Sequence, residues 1–262
     1  MLVDNFVENA FGICHLSVVP LRLEPSDRSE IISELLFGEC FEILEKQEKW
    51  SKIKCLWDDY EAWIDNKQFV SGLSQNDANS SLRDNVLIDR IAEIESNNFS
   101  SYLSIASTIN LDVLSKYSPN IKYRLSGRAV EMGTKGINTV PVLAQSWINT
   151  PYLWGGRSIF GIDCSGFTQN VFKMHGVRLK RDAYLQADQG TLINFIEEAQ
   201  PGDLAFFDND EERIIHVGIV LENQQIIHAS GHVRIDRLDH QGIFNIDTKK
   251  YSHKLRIIKR MI

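Results

Sequence analysis

Three side chains in the C-terminal half are of the types needed for nucleophilic chemistry. Cys164 stands in "GIDCSGF", between an acid and a serine and flanked by glycines. His216 and His228 sit in the apolar runs "RIIHVGIV" and "QIIHAS". A thiolate attacks carbonyl carbon once a nearby base takes its proton, and the base in turn needs a partner to orient it. Asp163 is an N-cap residue type, so Cys164 falls in the first turn of a predicted helix. At that position the unpaired N–H groups and the helix dipole lower a thiol's pKa and supply oxyanion donors. A single histidine among apolar residues is most simply a satisfied core residue. Two of them on adjacent strands, downstream of a helix-starting cysteine, favour a site. A turn centred near Glu222 sets the two rings almost opposite, and any register shift that preserves parity keeps them on one face within diagonal reach. Zinc binding by the same three residues has no support from spacing, because neither HExxH nor CxxC occurs.

The elements around these residues follow from pattern. Thr139 followed by Pro141 starts a helix through "VLAQSWIN" that stops before Pro151. "PYLWGGRSIFGID" is a glycine-rich loop. In "CSGFTQNVFKMHG", Phe167, Val171 and Met174 recur at helical spacing and Gly176 closes the helix. "GDLAFFD", "RIIHVGIVLE" and "QIIHASG" then read as antiparallel strands. A helix followed by an antiparallel sheet is an α+β arrangement. Upstream, residues 38–45 and 50–57 alternate as strands around a polar turn, with a third run from Tyr60 to Ile64, and together they suggest a small β-barrel. Residues 71–135 mix the two periodicities.

The chain has 262 residues, 43% hydrophobic and 24% charged, which suits a globular protein with an ample core. A net charge of −7 and the lack of a basic stripe argue against nucleic acid or an anionic membrane as partner. No run approaches the roughly 20 apolar residues of a membrane helix. Acids interrupt every apolar run near the N-terminus and no basic region precedes them, so no leader is expected and the protein is placed in the cytoplasm. Of the four cysteines, Cys14, Cys40 and Cys55 are expected to be reduced structural residues.

Taken together, "TPYLWGGRSIFGIDCSGF", "PGDLAFF", "HVGIVL" and "IIHASG" resemble the NlpC-type cysteine peptidases, papain-like enzymes that cleave bacterial cell-wall peptides. The resemblance covers about residues 137–262 and implies Cys164 as nucleophile, His216 as base and acid, and His228 as the orienting third member. It also implies that Tyr152 places its hydroxyl beside the sulfur. About residues 10–70 resemble the bacterial SH3 domain, with Ala62-Trp63 where that family has Gly-Trp. The implied division is 1–70 SH3-like, 71–135 a degenerate second SH3-like domain, and 136–262 the peptidase. This layout resembles the γ-D-glutamyl-L-diamino acid endopeptidases of peptidoglycan recycling, whose partner is a free murein peptide, L-Ala-γ-D-Glu-diamino acid. The likeness implies Asp182 in "KRDAYLQ", with Glu30 and Tyr60 from the SH3 side, at the L-Ala ammonium. Asp163 and Ser165 complete the expected substrate-binding set. Ala183 stands where serine is common in that group, and contact to the D-Glu carboxylate turns on it. No metal or cofactor is implied. Two other readings were weighed. An exported hydrolase of intact peptidoglycan is disfavoured by the missing leader, and an inactive peptide-binding SH3 protein by the intact Cys164, His216 and His228 set.

Overall fold

The computed structural model describes residues 10–97, 99–118, 121–134 and 139–262. The N-terminal stretch read for a leader and the expected boundary at 135/136 lie outside the described residues. Contacts divide the chain into two compact units. One runs up to Met132 and takes in Trp154–Ile159; the other is Gly133–Leu153 with Phe160–Ile262. The two N-terminal pieces expected from the sequence therefore fall in one unit, which also claims six residues of the glycine-rich loop.

The first unit opens with β1 (Ala10–Ile13), β2 (Val18–Arg22), β3 (Ile31–Leu36), β4 (Cys40–Lys46), β5 (Trp50–Cys55), β6 (Glu61–Asp65) and β7 (Val70–Leu73). They form a seven-stranded sheet in the order β3-β2-β6-β5-β4-β1-β7. Its alternating inward residues, among them Val19, Leu21, Phe41, Ile43 and Ile53, make a buried cluster. Cys14, Cys40 and Cys55 are buried in the cores of this unit. After α1 (Gln75–Ser80) come β8 (Asn85–Leu87), β9 (Ile91–Ser96), β10 (Ser100–Ser104), β11 (Thr108–Ile109), α2 (Leu111–Tyr117), β12 (Tyr123–Ser126) and β13 (Ala129–Glu131). These strands form two three-stranded sheets, and their apolar faces share a cluster with Phe11, Ile13 and Phe37. That is why residues 71–135 show no single periodicity: their strands are short, and part of their apolar packing is against residues of the first sheet. Gly38, at φ +77°, sits where the chain meets Thr108, and a Cβ there would fall 1.8 Å from the Thr108 carbonyl oxygen. Only glycine allows that approach.

The second unit contains α3 (Val140–Gln145), reached before β14 (Arg157–Ser158) of the first unit. It continues with β15 (Gly161–Ile162), α4 (Cys164–Met174), α5 (Ala183–Ala187), β16 (Thr191–Ile193), β17 (Leu204–Asp208), β18 (Ile214–Leu221), β19 (Gln225–Ser230), β20 (His232–Asp239), β21 (Gly242–Asn245) and β22 (Lys250–Arg260). The α3 helix is shorter than expected. Beyond Gln145 the chain tightens into bonds spanning three residues (Ser146 to Leu143, Trp147 to Ala144, Ile148 to Gln145) and then turns through Asn149 at φ +64°. Thr139 occupies the N-cap position, but its hydroxyl makes no cap bond, so the proline in the first turn is the start signal that operates. The large sheet has the order β16-β22-β17-β18-β19-β20-β21, and because β21 also pairs with β22 it closes on itself. The inner face carries Ala205, Phe207, Val220, Ile226, Leu238, Ile243 and Ile258. The other face presents fully buried Phe206, Val217, Ile219, Ile227 and Ala229, and α4, buried along its whole length, packs on β18 and β19. The helix-on-antiparallel-sheet arrangement expected for the C-terminal half is present in this unit.

Candidate active site

Cys164 is the first residue of α4. Asp163 is extended and caps the helix, its Oδ1 accepting from the Gly166 amide at 2.7 Å. The cap is held from behind by the buried Arg181, which donates to Asp163 Oδ2 at 2.6 Å, to Oδ1 at 3.1 Å and to Ser165 Oγ at 2.9 Å. Gln186, from α5, donates to the Ser165 carbonyl at 3.0 Å. The start of α4 is thus pinned by charge-assisted bonds, so the sulfur cannot wander.

The thiol departs from the sequence expectation. Burial pushes Cys164 up to about 12, and the neighbouring Asp163 carboxylate adds to this, against the Val217 and Ser165 amides and the Arg181 cation. Position at a helix N-terminus lowers a thiol's pKa where water reaches it and no anion caps the turn. Here the side chain is 7% exposed and the cap is itself an anion. The resting group is therefore a thiol, and it needs a base at the moment of reaction.

That base is built on the strand whose Val217 amide meets the sulfur. The β18–β19 turn passes through Asn223 and Gln224, both at φ +57°, which suits the twist of a hairpin. The resulting register sets Gly218 opposite His228. His216, two residues back, shares that face on the diagonal, so the parity expected from the sequence is the observed one. His216 Nε2 and His228 Nδ1 are 2.9 Å apart, and His228 Nε2 lies 3.0 Å from Asp236 Oδ2 on β20. Asp236 also accepts from Arg234 Nε at 2.7 Å, Arg234 Nη2 at 2.9 Å and the Ile246 amide at 3.0 Å. The ring of His253, from β22, stacks on His216 with centroids 4.1 Å apart and planes 21° apart. Burial holds His216 well below its usual value, with His228 and His253 acting the same way. His228 is also lowered by burial, against the pull of Asp236. Burial opposes ionisation of Asp236, yet its bonds from His228 and Arg234 hold its carboxyl far below the ordinary carboxylate range. The cluster is one of neutral imidazoles backed by a single carboxylate.

The remaining expected residues are placed as follows. Tyr152 is 36% exposed, and burial, with smaller contributions from Cys164 and Asp163, raises its phenol to about 12. Asp163 and Ser165 are buried in the Arg181 network just described. Asp182 precedes α5 and takes a hydrogen bond from the Tyr184 hydroxyl. Glu30 and Tyr60 belong to the first unit. Glu30 is exposed and accepts from the indole N–H of Trp154, while the Tyr60 ring packs half-buried on the first sheet's core. Sequence reasoning missed Arg181, Asp236 and His253. Asp236 was findable, because in "HVRIDRLD" it falls in phase with the inward Leu238, and an acid at a core position requires a partner. Among the described residues no group of three metal-ligating side chains converges. Chemically, a buried thiol and a neutral imidazole pair are the groups needed for proton transfer coupled to attack on a carbonyl.

Residues 149–251 match the model of the NlpC/P60 family, and residues 21–69 match that of the bacterial dipeptidyl-peptidase SH3 domain. A gamma-D-glutamyl-L-lysine dipeptidyl-peptidase of Bacillus cereus is 27% identical over 237 residues, 79% of this chain and 70% of that protein. Dipeptidyl-peptidase 6 of Lysinibacillus sphaericus is 25% identical over 248 residues, 84% and 89% of the two chains. The crystal structure of an NlpC/P60 family protein from Bacillus cereus superposes with a TM-score of 0.77 at 20% identity, covering 96% of this chain and 99% of that one. At that identity the likeness is one of fold.

Proposed function

We propose that this chain, which carries an NlpC/P60 family domain over residues 149–251 and a bacterial dipeptidyl-peptidase SH3 domain over residues 21–69, is a cysteine peptidase of peptidoglycan-derived peptides that hydrolyses the bond between γ-D-glutamate and an L-diamino acid. The observation that carries this reading is Cys164 at the start of α4, with the Val217 amide on its sulfur and the His216–His228 pair, 2.9 Å apart, beginning at the preceding residue of the same strand. The name of the Bacillus cereus relative, a gamma-D-glutamyl-L-lysine dipeptidyl-peptidase, supports the bond.

In this reading the Cys164 sulfur attacks the γ-carbonyl carbon as its proton passes to His216, and N–H groups of the first turn of α4 that Asp163 does not occupy receive the oxyanion. The tetrahedral intermediate collapses with cleavage of the C–N bond. His216 gives its proton to the departing amine and leaves a thioester. Water, deprotonated by His216, then attacks the thioester, and the released sulfur recovers its proton. Asp182 is the group we propose for the peptide's L-Ala ammonium, since an ammonium leaving water requires a carboxylate partner. Mass spectrometry of the products from free L-Ala-γ-D-Glu-diaminopimelate tests the bond. The expected products are L-Ala-γ-D-Glu and the free diamino acid, none of them from Cys164→Ala, with the N-acetylated tripeptide a very poor substrate. Turnover by Cys164→Ala, or cleavage between L-Ala and D-Glu, would overturn the reading. Equal rates for free and acetylated peptides would remove the ammonium contact from it.

A further inference from the structure

The closed sheet of the second unit places a carboxylate behind the histidine pair, on the next strand inward. We propose that Asp236 is a positioning residue for catalysis: acting through His228, it decides which nitrogen of His216 carries the proton. The inference rests on the peptidase reading for its consequence and on geometry alone for its content.

The argument is a count of donors and acceptors. Asp236 Oδ2 is shared by Arg234 Nε and His228 Nε2, and its Oδ1 by Arg234 Nη2 and the Ile246 amide. All four partners sit where donors belong, and an ionised carboxylate accepts only. The Arg234 fork, itself tied to Asp247 at 2.7 Å, keeps that carboxylate ionised although it is buried. The 3.0 Å contact to His228 Nε2 therefore places an N–H on that nitrogen. His228 is buried at 1% exposure and stays neutral, so it has a single N–H and its Nδ1 must accept. The 2.9 Å contact to His216 then places an N–H on His216 Nε2. His216 Nδ1 is left with a lone pair. The consequence crosses three neighbouring strands (β20, β19 and β18), and every contact in the series is buried, so solvent cannot scramble it. His253 stacks on the same ring and adds a steric restraint to its plane, but no proton.

With the opposite tautomer, the nitrogen of His216 not facing His228 would carry a proton and would not take one from a thiol. A carboxylate that imposes the productive tautomer contributes to rate without touching the substrate. This distinguishes it from a carboxylate kept for stability, since a buried ionic group is by itself weak support for a fold. Asp236→Asn tests the difference. The Oδ1 position takes two donors, Arg234 Nη2 and the Ile246 amide, so the asparagine oxygen settles there and its amino group turns to His228 Nε2, at the expense of the single Arg234 Nε bond. That nitrogen must then accept, and both imidazoles reverse.

The experiment is a two-bond ¹⁵N–¹H correlation spectrum of the histidine rings in the whole resting protein, recorded alongside steady-state kinetics on the tripeptide. Wild type is expected to show His228 and His216 both protonated at Nε2 with Nδ1 bare. Asp236→Asn is expected to show both protonated at Nδ1, with kcat lower by about 10²- to 10⁴-fold and KM within about threefold, the range found where a histidine's orienting partner is altered. A wild-type spectrum with the proton on His216 Nδ1 overturns the proposal, and does so even if the variant fails to fold. Unchanged tautomers or unchanged kcat in a folded Asp236→Asn overturn it as well. The spectrum is read without substrate, so this failure is separable from that of the peptidase reading, which activity in Cys164→Ala would expose.

Discussion

At the scale of single residues, the site runs on neutral groups, and this fixes how it responds to acid. Burial, then His228 and His253, depress His216 well below 6.5. Burial, with a smaller contribution from His228 and against Asp236, lowers His253 to about 4. The acid limb of kcat/KM reports the base of the free enzyme. It should therefore fall well below pH 6.5, and since the Cys164 thiol is raised to about 12, ionisation of the sulfur adds no alkaline limb below pH 9. Stability moves the same way. Above pH 6.5 these rings are neutral in both folded and unfolded chains. Between pH 6.5 and about 4 the unfolded chain binds protons that the folded His253 does not, so stability is present above that window and lost as pH falls through it. Urea midpoints at pH 7.5 and 4.5 check the sign, and His253→Phe should flatten part of the slope. A limb at or above pH 6.5 would mean that the imidazoles are solvated.

Individual elements carry the site through two local devices. The first is the start of α4, where Asp163 serves the helix as cap and Arg181 as counter-ion. The second is the close approach of β18 and β19. A Cβ on Gly218 would lie 2.7 and 2.8 Å from Ile226 side-chain atoms and 2.9 Å from the His228 Cβ. Gly218→Ala must push the histidine's own root out of line, and overpacking of this kind costs about 1–3 kcal/mol. The expected outcome is a lower urea midpoint together with a fall in kcat larger than that in KM. Loss of stability with full kcat would show that His228 tolerates displacement. Glycine in "HVGIVL" is thus required by its cross-strand neighbour, since its own backbone lies in the ordinary extended range.

For the molecule as a whole, the division into units does not follow the sequence. Trp154–Ile159 belongs to the first unit although residues of the second flank it on both sides. The reason is Arg157, 2% exposed, whose guanidinium grips Glu39 at 2.8 and 2.9 Å and the Glu34 carbonyl at 2.8 Å, while its amide donates to Glu34 Oε2 at 2.7 Å. Removing one partner of such a buried pair leaves the other charge uncompensated, at about 3–5 kcal/mol. Arg157→Ala should destabilise the first unit by that order, visible as faster amide hydrogen exchange over residues 31–41 than in wild type. Unchanged protection there would mean that water replaces the guanidinium.

What the sequence determined by itself is what period and local chemistry encode. The strand alternation that brings His216 and His228 to one face, the helix beginning at Cys164 behind an acidic cap, and the three N-terminal strands between residues 38 and 64 were legible because each is set within a dozen residues. The tertiary structure decided the rest. It folded β20 back beside β19, which set Asp236 behind His228, and it brought His253 on β22 from far along the chain onto the His216 ring. It also placed Arg181 behind Asp163, sent Arg157 into the first unit, and reversed the expected shift of the thiol. These outcomes depend on burial and on partners remote in the chain, and the free energy of a charge is set by how much water it loses and by what replaces that water. No local pattern contains either quantity.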